Sequence, residues 1–201
     1  MTATAMTATG MTPTGMTGTE ILAMTLRAEA GDRPVRALEA LAALVVNRAR
    51  LAAEGAASRA RFAPGFGPGF APGFAPGVAP GGATGGRTPG GMGAAWAGLL
   101  PQVCRAPFLF GCWNPRHPHR AALLAVLRGP VVPSGGAQPA PRPDLLFEVC
   151  RRIACRAAGG GLPDPTAGAT HWHDGCEMPG WAIGHIPSAE IGGLVFYRLV
   201  G

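Results

Sequence analysis

Glu29 is the residue in this chain whose type and setting best fit a proton-transfer role. It follows Leu22 and Leu26 and sits between Ala28 and Ala30, near the end of a segment with helical periodicity. The C-terminal end of a helix disfavours negative charge, and an apolar surrounding does the same, so both favour the neutral carboxyl. A carboxylic acid held in that form near neutral pH can act as a general acid on a leaving oxygen, as in the breaking of a glycosidic bond. Taken alone, the same residue also reads as an ordinary exposed helical glutamate.

Other groups compete with it. His171 and His173 alternate along a short extended run, so they share a face, and Cys176 follows closely. These are zinc-ligand types, and a zinc-dependent amidase, sensitive to chelators, is the reading they would carry. H-x-H-x-x-C is nevertheless a poor zinc signature, and we assign no metal and no cofactor. Asp174 and Glu177 are candidate bases for activating water. Trp172, Trp181 and Tyr197 either stack on sugar faces or fill the core of a small sheet.

The elements that must position these groups emerge from the rest of the chain. Met1 to Gly18 is a low-complexity run of Met-Thr units, read as a disordered tail over residues 1–18. Thr19 is the expected cap of a helix from Glu20 to Ala30, stopped by Gly31. Pro34 opens a second helix reaching Ala53 or Gly55, with Val35, Leu38, Leu41, Ala42, Val45 and Ala49 as its buried stripe. A Pro/Gly tract over about residues 63–91 carries three F-x-P-G units, beginning at Phe66, Phe70 and Phe74, and reads as a flexible insertion.

Trp96, Leu99, Leu100 and Val103 predict a short helix that Pro101 bends or splits. Another helix is expected from His119 to Leu127, then a Pro-rich break from Gly129 to Pro143. Asp144 caps a helix through Ala157, ended by the glycines 159–161. Residues 169–173 and 194–200 read as strands that pair antiparallel. Helices first and strands last predict an α+β domain over 19–201.

Composition narrows the partners. All 17 basic residues are Arg and the net charge is +6. That balance suits nucleic acid, anionic lipid or a carboxylate-rich cell wall. The arginines are scattered and no base-stacking motif accompanies them, so nucleic acid is not expected. No stretch reaches the roughly 18 apolar residues of a membrane span. Met1 to Glu20 carries no secretory signal, which leaves the location open and phage-type release as one route to a wall. The five cysteines are an odd number; Cys104 and Cys112 are near enough to pair, but buried thiols are the expectation.

Four blocks, in order, carry a family resemblance. Ala28-Glu29-Ala30-Gly31-Asp32, followed by a helix closing in Val45-Val46-Asn47-Arg48, resembles the A-E-A-x-G-E turn and V-x-N-R helix of SleB-type cell-wall hydrolases, the spore cortex-lytic catalytic domain family. Phe108 to Asn114 resembles that family's Q-F-S segment in the variant continuing C-W-N. Asp164 to His173 resembles its D-P-T-x-G-A-T-x-Y-x segment. Trp181-Ala182, Ile191-Gly192-Gly193 and Phe196-Tyr197 resemble its ending.

The resemblance covers about Ile21 to Val200. It implies a lysozyme-like α+β domain with a small C-terminal antiparallel sheet, acting as a monomer on peptidoglycan. It further implies that Glu29 is the catalytic acid of a lytic transglycosylase or muramidase-like enzyme. In transglycosylation one carboxyl serves as acid and then as base toward the sugar's own 6-hydroxyl, so no second carboxylate is required. Asn47, His171, Trp172 and Tyr197 are the expected substrate-binding residues, with Asn47 and Arg48 alternatively bracing the Glu29 loop. Leu109 and Gly111 replace the family's Gln and Ser, and Asp32 its second acid. The changes at Leu109 and Gly111, with the missing secretory signal, motivate the alternative of a wall-binding or phage-particle protein that has lost catalysis; the change at Asp32 is the milder one.

Overall fold

In the computed structural model of the chain, residues 16–29, 31–64, 94–128 and 144–199 are described. The expected tail over 1–18 as far as residue 15, nearly all of the Pro/Gly insertion and the break over 129–143 lie outside them, while Gly18 already belongs to a helix. The first helix, α1 (Gly18–Glu29), is capped by Thr17 rather than Thr19. The Thr17 hydroxyl accepts the Glu20 N–H at 3.2 Å, and the Glu20 carboxylate accepts the Thr17 N–H at 2.7 Å. This reciprocal box needs an acid three residues after the cap, which Thr17 has and Thr19 lacks.

Every residue of α1 from Ile21 to Glu29 except Arg27 is buried. A helix apolar on all sides belongs in the middle of a core, and α1 packs against α2 (Val35–Ala53), α5 (Leu100–Cys104), α6 (His119–Arg128) and α7 (Leu145–Ala158). The stripe of α2 is buried as expected, apart from Val35, which stands 46% exposed in the first turn. A further helix, α3 (Ala56–Phe62), follows α2 and buries Phe62. Pro101 does divide its region, into α4 (Ala94–Ala97) and α5, where a proline in the first turn costs no hydrogen bond. Asp144 caps α7 by accepting the Phe147 N–H at 3.0 Å.

The C-terminal sheet has three antiparallel strands in the order β1–β3–β2, with β1 (His171–Asp174), β2 (Ala189–Ile191) and β3 (Leu194–Tyr197). In the β1–β3 register, His171 faces Tyr197 and Trp172 faces Phe196. Partners directly opposite in a ladder project to the same side. His171, His173 and Tyr197 therefore share one face, and Trp172 and Phe196 the other. The chain is α+β, as its sequence predicts.

The loop before β1 is pinned by Asp164. Its carboxylate accepts from the Thr166 hydroxyl and N–H, from the Gly168 N–H and from the Asn47 amide. Burial opposes its charged form, but those four donors outweigh burial and hold the carboxyl below the ordinary aspartate value. A carboxylate depressed in this way adds stability above its unfolded value, and that contribution is lost as pH falls through the folded one. Asp164→Ala is expected to cost about 1–3 kcal/mol at pH 7. In urea titrations the gap from wild type should narrow as the pH is taken below 4.

Candidate functional site

Glu29 closes α1, and its carboxyl group is 1% exposed. Both oxygens are engaged. Oε1 accepts the backbone N–H of Cys112 at 2.8 Å, and Oε2 lies 2.5 Å from Nδ1 of His119. Those partners are 83 and 90 residues away in sequence and arrive on different elements. Cys112 belongs to a 3-10 turn, Gly111–Trp113, while His119 is the first residue of α6.

The turn is fastened to α1 a second time. The Trp113 indole N–H donates to the Thr25 hydroxyl at 3.0 Å, and that hydroxyl donates to the Ile21 carbonyl at 2.7 Å. Thr25 is fully buried one helical turn before Glu29, so Trp113 and Cys112 together lock the turn along the helix. Thr25→Val leaves a buried indole N–H without its acceptor and is expected to cost about 1–3 kcal/mol. Thermal unfolding monitored by tryptophan fluorescence checks this directly.

Gly111 abuts the ring of His117. A Cβ at position 111 would fall 2.3 Å from two atoms of that imidazole, so the glycine is a steric requirement of the histidine beside it. His117 in turn accepts the His119 N–H on its Nδ1 at 3.2 Å and meets the His119 ring edge-on, 4.7 Å between centroids. Leu109 turns its side chain into the core at 8% exposure. Its carbonyl accepts the Trp172 indole N–H at 2.9 Å, and Trp172 packs on Phe110.

None of the other substrate-binding candidates bonds to the Glu29 carboxyl, whose partners are Cys112 and His119. Asn47 donates to Asp164 and to the Ala169 carbonyl, and Arg48 donates to the Thr170 carbonyl. These two residues brace the loop before β1 rather than the turn after Glu29. Tyr197 is 1% exposed, stacks on His173 and lies with its hydroxyl 3.1 Å from the His173 Nε2. Trp181 crosses Tyr197 edge-on, with His171 and His173 beside it. Burial, with Arg48, Arg61 and His185 nearby, pushes His171 down to about 4, so this imidazole is neutral at physiological pH.

Among the described residues, no group of three or more His, Cys, Asp or Glu side chains is placed to hold a metal ion. Asp174 is occupied by an ion pair with Arg33, and Asp32 and Glu177 are exposed. Cys104 and Cys112 are both buried free thiols. Burial raises Cys104 to about 12 and pushes Cys112 higher still, with the Glu29 carboxyl adding to the effect. No described helix is long and apolar enough to cross a membrane.

A surface hollow of about 570 Å³ lies beside the turn that follows α1, lined by Asp32, Arg33, Asp174 and Cys176 among others. Another of about 460 Å³ lies between α3 and Gln102. Neither is lined by Glu29 or His119. Sequence reasoning missed His119, His117, Thr25 and the Cys112 N–H as members of the site. The one visible signal was the His117-Pro118-His119 spacing, two residues after Cys112-Trp113-Asn114. Comparisons of the chain with protein-family models, with curated proteins and with solved structures return no match.

Proposed function

We propose that this protein cleaves the glycan strand of peptidoglycan beside N-acetylmuramic acid, as a lysozyme-like enzyme of the SleB type with Glu29 as acid and then base. The observation that carries the reading is the carboxyl of Glu29, buried at the end of a core helix and fixed on both oxygens by a backbone N–H and an imidazole. A group oriented in this way needs little reorganisation when it transfers a proton.

The mutual contacts of the resembling blocks add support. The A-E-A block bonds to the C-W-N block through Glu29 and Cys112. The V-x-N-R block bonds to the D-P-T block through Asn47 and Arg48. Trp172 ties the D-P-T block back to Leu109. Segments scattered between Ala28 and His173 thus form one connected set, as parts of a single site would.

In the proposed reaction Glu29 supplies the proton that lets the glycosidic oxygen leave. It then receives the proton of the muramic 6-hydroxyl as that oxygen closes on the anomeric carbon. One carboxyl completes both halves, which fits a site whose other acids are elsewhere or already paired.

A second reading, a wall-binding or phage-particle protein without catalysis, is favoured by the 1% exposure of Glu29. Incubation of purified wall with the protein, with and without a chelator, separates the readings. Release of soluble muropeptides in both conditions is expected. Binding without release would favour the second reading, and loss of release with chelator would favour a metal-dependent amidase.

A further inference from the structure

Glu29 reaches no ligand directly in this arrangement. Its side chain is 1% exposed, whereas that of His119, bonded to it, is 39% exposed. Oε1 is filled by the Cys112 N–H, so Oε2 is the oxygen left for proton exchange, and it faces Nδ1 of His119. At 2.5 Å the two atoms are held together by a single proton, carried by one or the other. His117 lies edge-on to the His119 ring and accepts its backbone N–H, so it steadies the imidazole without taking either ring nitrogen. Nε2 of His119 has no hydrogen-bond partner among the described residues.

We propose that Glu29 exchanges its proton with the substrate through His119. The inference rests on the glycan-cleavage reading above and assigns His119 as the catalytic residue that meets the sugar. In the first half, the proton on Nε2 passes to the glycosidic oxygen as the bond from that oxygen to the anomeric carbon breaks. The proton on Glu29 Oε2 passes to Nδ1, leaving a carboxylate opposite the positive charge on the sugar. In the second half, the 6-hydroxyl oxygen bonds to the anomeric carbon and gives its proton to Nε2, while Nδ1 returns its proton to Oε2. The imidazole gains and loses one proton in each half, and the buried carboxyl is regenerated without exposure to water.

Asparagine separates this role from simple positioning, because its amide N–H can hold Oε2 but cannot pass a proton across. Full-length His119→Asn is expected to cleave wall at least ~100-fold more slowly than wild type, within the range for loss of a general acid. Its KM should be little changed. Added imidazole should restore part of the rate to His119→Ala. Proton NMR should show a resonance far downfield of the amides in wild type that is absent from both His119→Asn and Glu29→Gln. An active wild type matched in rate by His119→Asn would overturn the relay and leave Glu29's role standing. A wild type that releases nothing would remove the cleavage reading and the relay with it.

Discussion

Glu29→Gln is expected to reduce release of muropeptides by ~10²–10⁴-fold, the usual weight of a general acid, while leaving the fold intact. The amide is isosteric with the carboxyl. Its oxygen can still accept the Cys112 N–H, and its NH₂ can donate to Nδ1 of a neutral His119. Both anchors of the site survive, so the unfolding temperature should stay within a few degrees of wild type. Glu29→Ala is different. It strips the acceptor from a buried N–H and opens a cavity in α1, for an expected loss of about 1–3 kcal/mol from the orphaned donor alone. Thermal melts of the two variants, beside their cleavage rates, separate the chemical role of Glu29 from its structural one.

Gly111→Ser should destabilise the protein by about 1–3 kcal/mol, the usual effect of overpacking, and His117→Ala should relieve most of that loss. The backbone of Gly111 is not left-handed, so the effect is purely steric: the new Cβ meets the His117 ring at 2.3 Å. The ring can move only by giving up the His119 N–H that it accepts, at the first turn of α6. Displacing it also disturbs the imidazole bonded to Glu29, so the single variant should lose cleavage activity as well. A double-mutant cycle in urea measures the coupling. Equal stability of Gly111→Ser and wild type would contradict the account.

This pair also alters the meaning of the chain's departures from the SleB pattern. Gly111, read from sequence as a lost serine, is the residue that makes room for His117. Leu109, read as a lost glutamine, points into the core, and its backbone carbonyl accepts the Trp172 indole N–H. A single string of letters does not reveal that position 111 and the ring of His117 compete for the same space, because that is a distance in the folded chain.

Much of the scaffold was legible because it follows from period and punctuation. The 3.6-residue stripe of α2, the Asp144 cap, the split at Pro101 and the antiparallel pairing of the last strands all follow from local rules. The cap was misplaced at Thr19, although the rule requires an acid three residues on, which Glu20 supplies to Thr17 alone. Strand β2, with only Ala189, Glu190 and Ile191, is too short for its own alternation to register; its pairing to β3 defines it. Of the site, Glu29 could be singled out from its helix and its motif. Its partners could not, because Cys112 contributes a backbone N–H that carries no sequence signature, and His119 is joined to it only by tertiary packing.

The most direct test of the central claim is mass spectrometry of purified peptidoglycan after incubation with wild type and with Glu29→Gln at equal concentration. The account predicts new glycan ends bearing anhydro-muramic acid in the wild-type digest and none above background in the variant. The same ends at the same yield from both proteins, or intact wall after treatment with wild type, would contradict it.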